Sequence, residues 1–278
     1  MKDSGQLRIQ REQEHFDHLA REDTIFEGSS EFDYLSHPCV PENHKLLQLF
    51  PSGFQGVRIL DLGCGLGEAS IAFAKRGARV TGIDVSSISI ARAKRLLSKD
   101  GASAEFQVVD GYKLPFQEGE FDLVYGNGVL HHLDLEQSLP EIRRVLKPHA
   151  LGYFIEPAIG NPIIAVYRSL AKKRRSTDER PLSKKEYALI TREFPHMEVF
   201  HFQLAQLFVF LKIFFIEWEH PSAVSYWRLP IQFPSRYRRF YDWGGQVDRI
   251  LRKWMPRLFA RLCWNHLLIL HKDSEHQD

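Results

Sequence analysis

Three glycines stand close together after a short apolar run, in the segment ILDLGCGLG at residues 59–67. Gly63, Gly65 and Gly67 lack a side chain, so they tolerate unusual backbone conformations and let a ligand approach the main chain closely. A glycine turn that leads from a strand into a helix often binds a nucleotide-like cofactor. The segment therefore predicts a tight turn with a ligand against it, although such a turn also occurs in a purely structural role.

Two acidic residues accompany this turn. Asp84 ends the next predicted strand, 21 residues after Gly63, where a carboxylate can accept both hydroxyl groups of a ribose. The dinucleotide fingerprint GxGxxG fails, because its third glycine would fall on Glu68. Asp61, two residues before the first glycine, would repel a pyrophosphate but suits a ligand with an ammonium group. The pattern favours a nucleoside with a positively charged tail.

Strand and helix patterns alternate around these residues. Short apolar runs predict strands over 57–62, 79–84, 104–109, 121–125 and 151–156. Intervening patterns predict helices over 68–75, 87–97 and 135–146. This alternation is typical of a parallel sheet that is covered by helices on both faces. Further helices are predicted over 8–24, 41–50, 163–170 and 183–194, and further strands over 198–202 and 263–271.

Five segments, in chain order, resemble the motifs of class I S-adenosylmethionine-dependent methyltransferases and are similar to the methyltransferase type 11 group, which includes the ubiquinone and menaquinone methylases. These segments are residues 59–67, 80–86, 109–116, 121–133 and 142–148. The resemblance implies S-adenosyl-L-methionine as the cofactor, with Asp84 at the ribose and Asp110 at the adenine amino group. The cofactor-binding residues expected on this basis are Asp61, Gly63, Gly65, Gly67, Asp84, Val85, Asp110, Gly111, Asn127 and His132.

The same resemblance implies an α/β fold, with a seven-stranded, doubly wound, Rossmann-like sheet. Its last strand runs antiparallel between strands five and six, so residues 198–202 and 263–271 would be strands six and seven. In the plain fold a short hairpin joins these two strands. Here we expect a helical insertion at 204–262, within a cofactor-binding domain at 51–278 that follows an N-terminal helical cap at 1–50.

Such a cofactor requires little chemistry from the protein itself. The sulfonium is already an activated methyl donor, so the protein has to align the acceptor in line with the S–CH3 bond and exclude water. An acceptor hydroxyl or acidic carbon also needs a base. We expect His131 to be this base, because it follows the fourth strand and a histidine pKa near neutrality suits proton removal. Tyr34, His37 and His15 are weaker candidates.

The residues after strand five supply candidates for an acceptor pocket. Glu156, Asn161, Tyr167 and Arg168 could line it, but Asn161 equally fits a helix N-cap and Tyr167 a core position. The acidic pair at 178–179 is more simply interpreted as two solvated charges than as part of a site. Thirteen histidines and three cysteines show no spacing typical of a zinc site, so no metal is predicted.

Charge and aromatic residues are concentrated near the end of the chain. The net charge is +2, which argues against a whole-surface nucleic-acid binder. All five tryptophans lie within residues 204–272. Apolar residues of 251–262 fall on one side of a predicted helix, kinked at Pro256, and basic residues take the other side. This pattern fits an anionic membrane surface, and it equally fits a cap on the sheet with its arginines reaching water.

Together these features predict a methyltransferase that acts on a hydrophobic small-molecule or lipid-like acceptor. A methyltransferase for RNA or protein and a non-catalytic cofactor-binding regulator stay open as alternatives. The tetrapeptide GNGV at 126–129, in place of an NPPY type, argues against N6-adenine methylation. Sparse cysteines and a polar N-terminus predict a cytoplasmic location, with peripheral membrane contact through 204–262 as an option. A membrane-spanning helix needs about 20 apolar residues, and no apolar stretch of the sequence is that long.

Overall fold

The computed structural model describes residues 4–22, 33–100, 102–176, 179 and 181–273. Its strands are β1 (Arg58–Leu62), β2 (Arg79–Asp84), β3 (Ala104–Val108), β4 (Phe121–Asn127), β5 (Leu146–Pro157), β6 (Met197–Phe202) and β7 (Asn265–His271). Its α-helices are α1 (Ser4–Glu22), α2 (Asn43–Leu49), α3 (Glu68–Ala74), α4 (Ser87–Asp100), α5 (Leu135–Val145), α6 (Pro162–Leu170), α7 (Lys184–Glu193), α8 (Phe208–Phe215), α9 (Leu229–Gln232), α10 (Pro234–Trp254) and α11 (Pro256–Leu262). Short 3-10 helices lie at Leu130–His132, Lys172–Arg174 and Ala205–Leu207.

The seven strands form one sheet in the order β3-β2-β1-β4-β5-β7-β6. Strands β1 to β5 pair in parallel, whereas β7 runs antiparallel between β5 and β6. The predicted fold class is therefore confirmed, including the reversed last strand. The strand order changes direction at β1 and β4, which is the position at which open α/β sheets bind their ligands.

The glycine turn connects β1 to α3. Gly63, Gly65 and Gly67 have φ angles of 69°, 54° and 84°, which lie in the left-handed region. A Cβ atom on Gly63 would come within 2.7 Å of Val129, and one on Gly67 within 2.9 Å of Phe106. At both ends of the turn, backbone conformation and close packing therefore each favour glycine.

Apolar cores cover both faces of the sheet. On one face, the rings of Phe54, Phe73 and Tyr125 pack edge to face in series, with centroids 5.1 Å and 5.2 Å apart. On the other face, Ile142 of α5 and Ile190 of α7 are completely buried against the strands. Because close-packed cores resist deformation, the carboxyl ends of the strands are held in a fixed arrangement.

Helix α1 lies across the carboxyl edge of the sheet. Asp17 of α1 accepts hydrogen bonds from the Ser86 hydroxyl at 2.6 Å and the Ile88 amide at 3.2 Å, at the beginning of α4. A carboxylate is favourable there, because the first amides of a helix have no partner within the helix. The division of the chain at residue 50 stays a prediction.

The segment between β6 and β7 is mainly helical, as the sequence predicts. Asp248 of α10 ties this insertion to the end of β6, since its two oxygens accept from the amides of Leu204 at 3.1 Å and Ala205 at 2.6 Å. The buried Gln206 side chain donates to the carbonyl of Tyr241 at 3.1 Å. These bonds satisfy buried polar groups and so fix α10 against the start of the insertion.

The apolar face predicted over 251–262 does not form a single surface. Met255 has a non-helical conformation (φ −133°, ψ 53°) between α10 and α11, because Pro256 cannot continue the helix. On either side of this break, Trp254 is 75% exposed and Phe259 only 1% exposed. The apolar residues of this stretch are therefore shared between solvent and core. None of the helices described here has the length and apolar character needed to cross a bilayer.

Candidate functional site

A cavity of about 450 Å³ lies at the carboxyl ends of β1, β2 and β4, beneath α1. The predicted site residues that line it are Asp61, Gly63, Gly65, Asp84, Val85, Asp110, Gly111, Asn127, His131 and His132. Gly67 is not among the lining residues. It lies at the end of the turn, directly before α3, and packs against Phe106. The fold thus brings the candidates together around one space, and which of them bind a ligand stays a prediction.

Asp84 is aimed at the glycine turn. One of its carboxylate oxygens accepts from the Gly65 amide at 2.9 Å and the other from the Ser86 amide at 2.8 Å. Burial raises the pKa of Asp84, while these two amides oppose that rise. The carboxylate is held in one orientation at the cavity wall, with lone pairs left for a ligand hydroxyl.

Asp61 is a buried acidic residue beside the glycine turn, at 2% exposure. It accepts from the Ser70 hydroxyl at 2.5 Å. Burial, together with the nearby charges of Glu68 and Asp84, raises the pKa of Asp61 to about 7, against the lowering effect of the Ser70 hydrogen bond. Glu68 is already paired with Arg228 at 3.5 Å. Asp61 and Asp84 still favour a cation at the turn, which fits the sulfonium and ammonium groups of S-adenosylmethionine better than a phosphate.

Asp110 and Asn127 border the cavity on its other sides. One oxygen of Asp110 accepts from the amides of Tyr112 at 2.9 Å and Lys113 at 3.3 Å, which closes a local turn. Asn127 donates its side-chain amide to the Tyr34 hydroxyl at 2.7 Å. Tyr34 is buried and lines the cavity, so this weaker sequence candidate connects the N-terminal segment to β4.

His131 is anchored by a buried carboxylate. Its Nδ1 atom lies 2.6 Å from Oε2 of Glu156, at the end of β5. Glu156 also accepts from the amides of Val129 at 3.0 Å and Leu130 at 2.8 Å. Nδ1 donating to this carboxylate leaves Nε2 with a lone pair, which is the arrangement a general base requires.

The expectation that Glu156 lines the acceptor pocket is wrong, since it is 1% exposed and lies behind His131. Tyr167 and Arg168 do line the cavity, as predicted. Asn161 instead caps α6, because its side-chain oxygen accepts from the amides of Ile163 at 2.8 Å and Ile164 at 3.2 Å. The residues after strand five therefore divide between positioning, capping and lining.

His132 is surrounded by residues that sequence reasoning does not single out. Its Nδ1 atom lies 3.1 Å from Oε2 of Glu12, and Glu12 accepts from the Ser176 hydroxyl at 2.6 Å. Its ring packs edge-on against Phe16, with centroids 5.1 Å apart. Burial, followed by the charge of neighbouring His131, lowers the pKa of His132. No local sequence signal marks Glu12 or Ser176, which reach this point from distant parts of the chain.

The expectation that the acidic pair at 178–179 is solvated is wrong for Glu179, whose side chain is 10% exposed, and residue 178 lies outside the described residues. Glu179 forms ion pairs with Arg168 and, at 3.1 Å, with Arg175. One carboxylate oxygen of Glu179 and one ring nitrogen each of His131 and His132 lie within 4.8 Å of one another, a set that could hold a metal ion. The two guanidinium groups beside Glu179 oppose a further cation, so the set suits proton handling better.

The insertion supplies part of the cavity wall, and its Arg228 pairs with Glu68 near the glycine turn at 3.5 Å. Trp227, Ile231 and Tyr241 line it from this segment. Nearby, the ring of Tyr167 lies 5.0 Å from that of Phe210, centroid to centroid. The cavity therefore has acidic residues at the glycine turn, and the rest of its lining combines aromatic and aliphatic side chains with arginines.

Residues 59–149 match the family model described as "Methyltransferase domain". The chain is 39% identical over 97 residues to a sterol 24-C-methyltransferase of Gibberella zeae, which covers 34% of this chain and 26% of that protein. It is also 39% identical over 110 residues to a demethylmenaquinone methyltransferase of Chlorobaculum parvum, which covers 38% of this chain and 44% of the relative. The matched region thus spans less than half the length of either relative.

A solved structure shares the fold over most of the chain. Phosphoethanolamine N-methyltransferase 2 of Haemonchus contortus, in complex with S-adenosyl-L-methionine, superposes with a TM-score of 0.55 at 20% identity. The superposition covers 84% of this chain and 53% of that one. At this level of identity the likeness concerns the fold alone.

Proposed function

We propose that this chain, whose residues 59–149 are a class I S-adenosylmethionine-dependent methyltransferase domain, transfers a methyl group to a hydrophobic small-molecule or lipid-like acceptor. The observation that carries the proposal is the polarity of the cavity. Its glycine turn is surrounded by Asp61, Glu68 and Asp84. Elsewhere its lining includes apolar and aromatic side chains such as Tyr167, Trp227 and Ile231, with arginines among them. A cationic cofactor would lie at the acidic turn, and an apolar acceptor would lie against the aromatic and aliphatic side chains.

Different residues of the site would bind different parts of the cofactor. S-adenosylmethionine, when bound, supplies a methyl group on a sulfonium, an activated donor. Asp84 would accept the ribose hydroxyls, Asp61 would neutralise the ammonium group, and the backbone at Gly63 and Gly65 would lie against the ligand. Alignment of the acceptor inside a cavity that excludes water supplies much of the acceleration.

At the acceptor end, His131 would take the proton of a hydroxyl or an acidic carbon. Glu156 holds its Nδ1 atom, so Nε2 is the nitrogen that would receive the proton. The positive charge formed on the imidazole would be stabilised by that buried carboxylate. An amine acceptor, which has to be unprotonated, would not need this base.

The names of the relatives support an apolar acceptor. They are a sterol methyltransferase and a demethylmenaquinone methyltransferase, and a further relative from Oryza sativa is named a probable tocopherol O-methyltransferase, 38% identical over 96 residues. These three names describe ring-containing, largely hydrophobic acceptors. They support the class of acceptor and not one particular molecule.

Two measurements test this proposal. Calorimetry should detect binding of S-adenosylmethionine to the folded protein. Labelled methyl transfer, offered separately to a lipid extract, to nucleic acid and to protein, should label the lipid extract. Label in nucleic acid or protein would favour the alternative acceptors, and binding without transfer to any fraction would favour a regulatory cofactor-binding protein. Absence of cofactor binding would overturn the proposal as a whole.

We also propose that the insertion makes peripheral contact with a membrane. Several of its apolar residues are exposed, most of all Trp218 at 84% and Trp254, and arginines and lysines lie among them in the sequence. Aromatic residues with basic neighbours suit an anionic bilayer surface.

Flotation with vesicles that contain anionic lipid should decrease in a Trp218→Ser/Trp254→Ser variant. Val108→Ser is the matched control, because exposed Val108 lies on β3 at the opposite end of the sheet. Equal flotation of all three proteins would contradict membrane contact.

A further inference from the structure

Three metal-ligating side chains converge where the insertion leaves and rejoins the sheet. His201 on β6 lies directly opposite His266 on β7 in the antiparallel register, and their rings are 4.9 Å apart at an angle of 71°. Cys263 stands just before β7 and is completely buried. One ring nitrogen of each histidine and the Cys263 sulfur lie within 4.8 Å of one another.

Two nitrogens of this cluster lack a well-formed hydrogen bond. Among the described residues, Nδ1 of His201 and Nε2 of His266 are buried without a hydrogen bond of normal geometry, and the Ala260 carbonyl lies beside the His266 ring. The other ring nitrogen of His266, Nδ1, is engaged by the Tyr187 hydroxyl. The Cys263 thiol donates to the Ala260 carbonyl at 3.4 Å, and metal binding would replace this bond. Buried polar groups normally have a hydrogen-bond partner, so the two imidazole nitrogens without one indicate that a ligand or ion binds here.

We propose that His201, Cys263 and His266 bind a zinc ion. Two imidazole nitrogens and one thiolate are ligands that Zn²⁺ prefers, and three protein ligands leave its fourth tetrahedral position for water. The set contains no carboxylate, which disfavours Mg²⁺ and Ca²⁺. On binding, the Cys263 thiol releases its proton to solvent and the sulfur donates an electron pair to the metal. Tyr187 would orient His266 through the nitrogen that does not face the metal.

Such an ion would join the two ends of the insertion. His201 stands three residues before it and Cys263 directly after it, so the metal would close a loop of about 60 residues across β6 and β7. The insertion supplies Trp227 and Tyr241 to the cavity wall. Zinc would thereby stabilise the wall of the cavity without taking part in methyl transfer, and the proposal holds whichever acceptor the protein uses.

Cobalt, a spectroscopic substitute for zinc, tests the site in the full-length chain. Titration with Co²⁺ should produce a thiolate-to-cobalt charge-transfer absorption that saturates at one ion per chain and disappears when Zn²⁺ is added. Cys263→Ser should lose the band, and His201→Gln and His266→Gln should weaken binding. Tyr187→Phe, which keeps all three ligands, should lower metal affinity by about 10-fold to 100-fold.

Matched controls separate this site from other parts of the molecule. Cys39→Ser and Cys64→Ser remove the other two thiols and should keep the band. His132→Ala disrupts the second histidine cluster and should keep it as well. Circular dichroism establishes that each variant is folded. If Cys263→Ser does not fold, the lowered metal affinity of Tyr187→Phe still tests the site. The proposal is overturned if the folded protein shows no charge-transfer band, or if the band survives loss of Cys263.

Discussion

Nδ1 of His131 lies 2.6 Å from Oε2 of Glu156, and both side chains are buried at the end of neighbouring parallel strands. The same carboxylate accepts hydrogen bonds from three backbone amides of the segment that carries the histidine, those of Val129, Leu130 and His131. One residue therefore fixes both the loop and the ring. This double role explains why Glu156 lies behind the cavity and why its loss should affect the histidine.

Replacing His131 should slow methyl transfer without weakening cofactor binding. If His131 is the base, His131→Ala lowers kcat by about 100-fold to 10,000-fold, the usual contribution of general base catalysis. The measurement is labelled methyl transfer to the acceptor found in the fractions above, alongside calorimetry with S-adenosylmethionine. An unchanged kcat would assign His131 a structural role or point to an amine acceptor.

Replacing Glu156 should act through His131. Glu156→Gln keeps the shape of the side chain but removes its charge, so the imidazole loses its fixed orientation, and a misplacement of this kind costs about 100-fold in kcat. The affinity for S-adenosylmethionine should stay the same, because Glu156 does not line the cavity. In the double variant with His131→Ala, the Glu156 change should have little further effect. Fully additive losses would show that the two residues do not act as a unit.

Removing the Asp84 carboxylate should weaken cofactor binding. A hydrogen bond to a charged group contributes about 1.5–3 kcal/mol, so Asp84→Ala should raise the Kd of S-adenosylmethionine by about 10-fold to 100-fold. Calorimetry measures this change directly. Asp242→Ala, at a half-exposed position of α10, is the control and should bind as the natural chain does. Equal affinities of all three proteins would remove Asp84 from the proposed ribose site.

Cofactor affinity should depend on pH through Asp61. Burial raises the pKa of this carboxyl to about 7, and only its ionised form can neutralise an ammonium group. Affinity should therefore increase as the pH rises through about 7, with a loss of about tenfold one pH unit below that value. Calorimetry across this range measures it. Asp61→Asn should bind weakly at every pH, and a variant with the original pH dependence would exclude Asp61 as its source.

A second buried acid should make stability depend on pH. Burial raises the pKa of Glu42 from 4.5 to about 7, and Asn265 donates to its carboxylate at 3.0 Å. Because the folded state holds this proton more tightly than the unfolded state, the contribution is present below about pH 4.5 and is lost as the pH rises through about 7. The difference is on the order of 3 kcal/mol.

Glu42→Gln tests this contribution, because the amide stays neutral at every pH. Urea unfolding of the natural chain should show the free energy of unfolding falling between about pH 5 and about pH 8, and the variant should show a smaller fall. Asp61 titrates in the same range, so Asp61→Asn should remove a separate part. A Glu42→Gln curve parallel to that of the natural chain would contradict this assignment.

Local spacing in the sequence determined the glycine turn, the acids Asp61 and Asp84 and the alternation of strands and helices. These features depend on residues near one another in the chain, where backbone freedom and apolar periodicity act directly. The order of the sheet and the reversed last strand could be predicted through the resemblance, because the five motifs of the family occur here in chain order. Asn161 shows the limit of this local information, since its sequence position fits a helix cap and a pocket residue equally, and only its hydrogen bonds to the first amides of α6 identify it as a cap.

Only the tertiary structure decided which distant residues meet. Glu12 reaches His132, Glu156 lies behind His131, and His201 faces His266. Each of these relationships depends on strand register and on how a helix packs across the sheet. A shift of one residue in β6 would turn His201 to the other face of the sheet and separate it from His266. Such contacts result from the packing of the whole chain, because no local pattern encodes which register buries the most apolar surface.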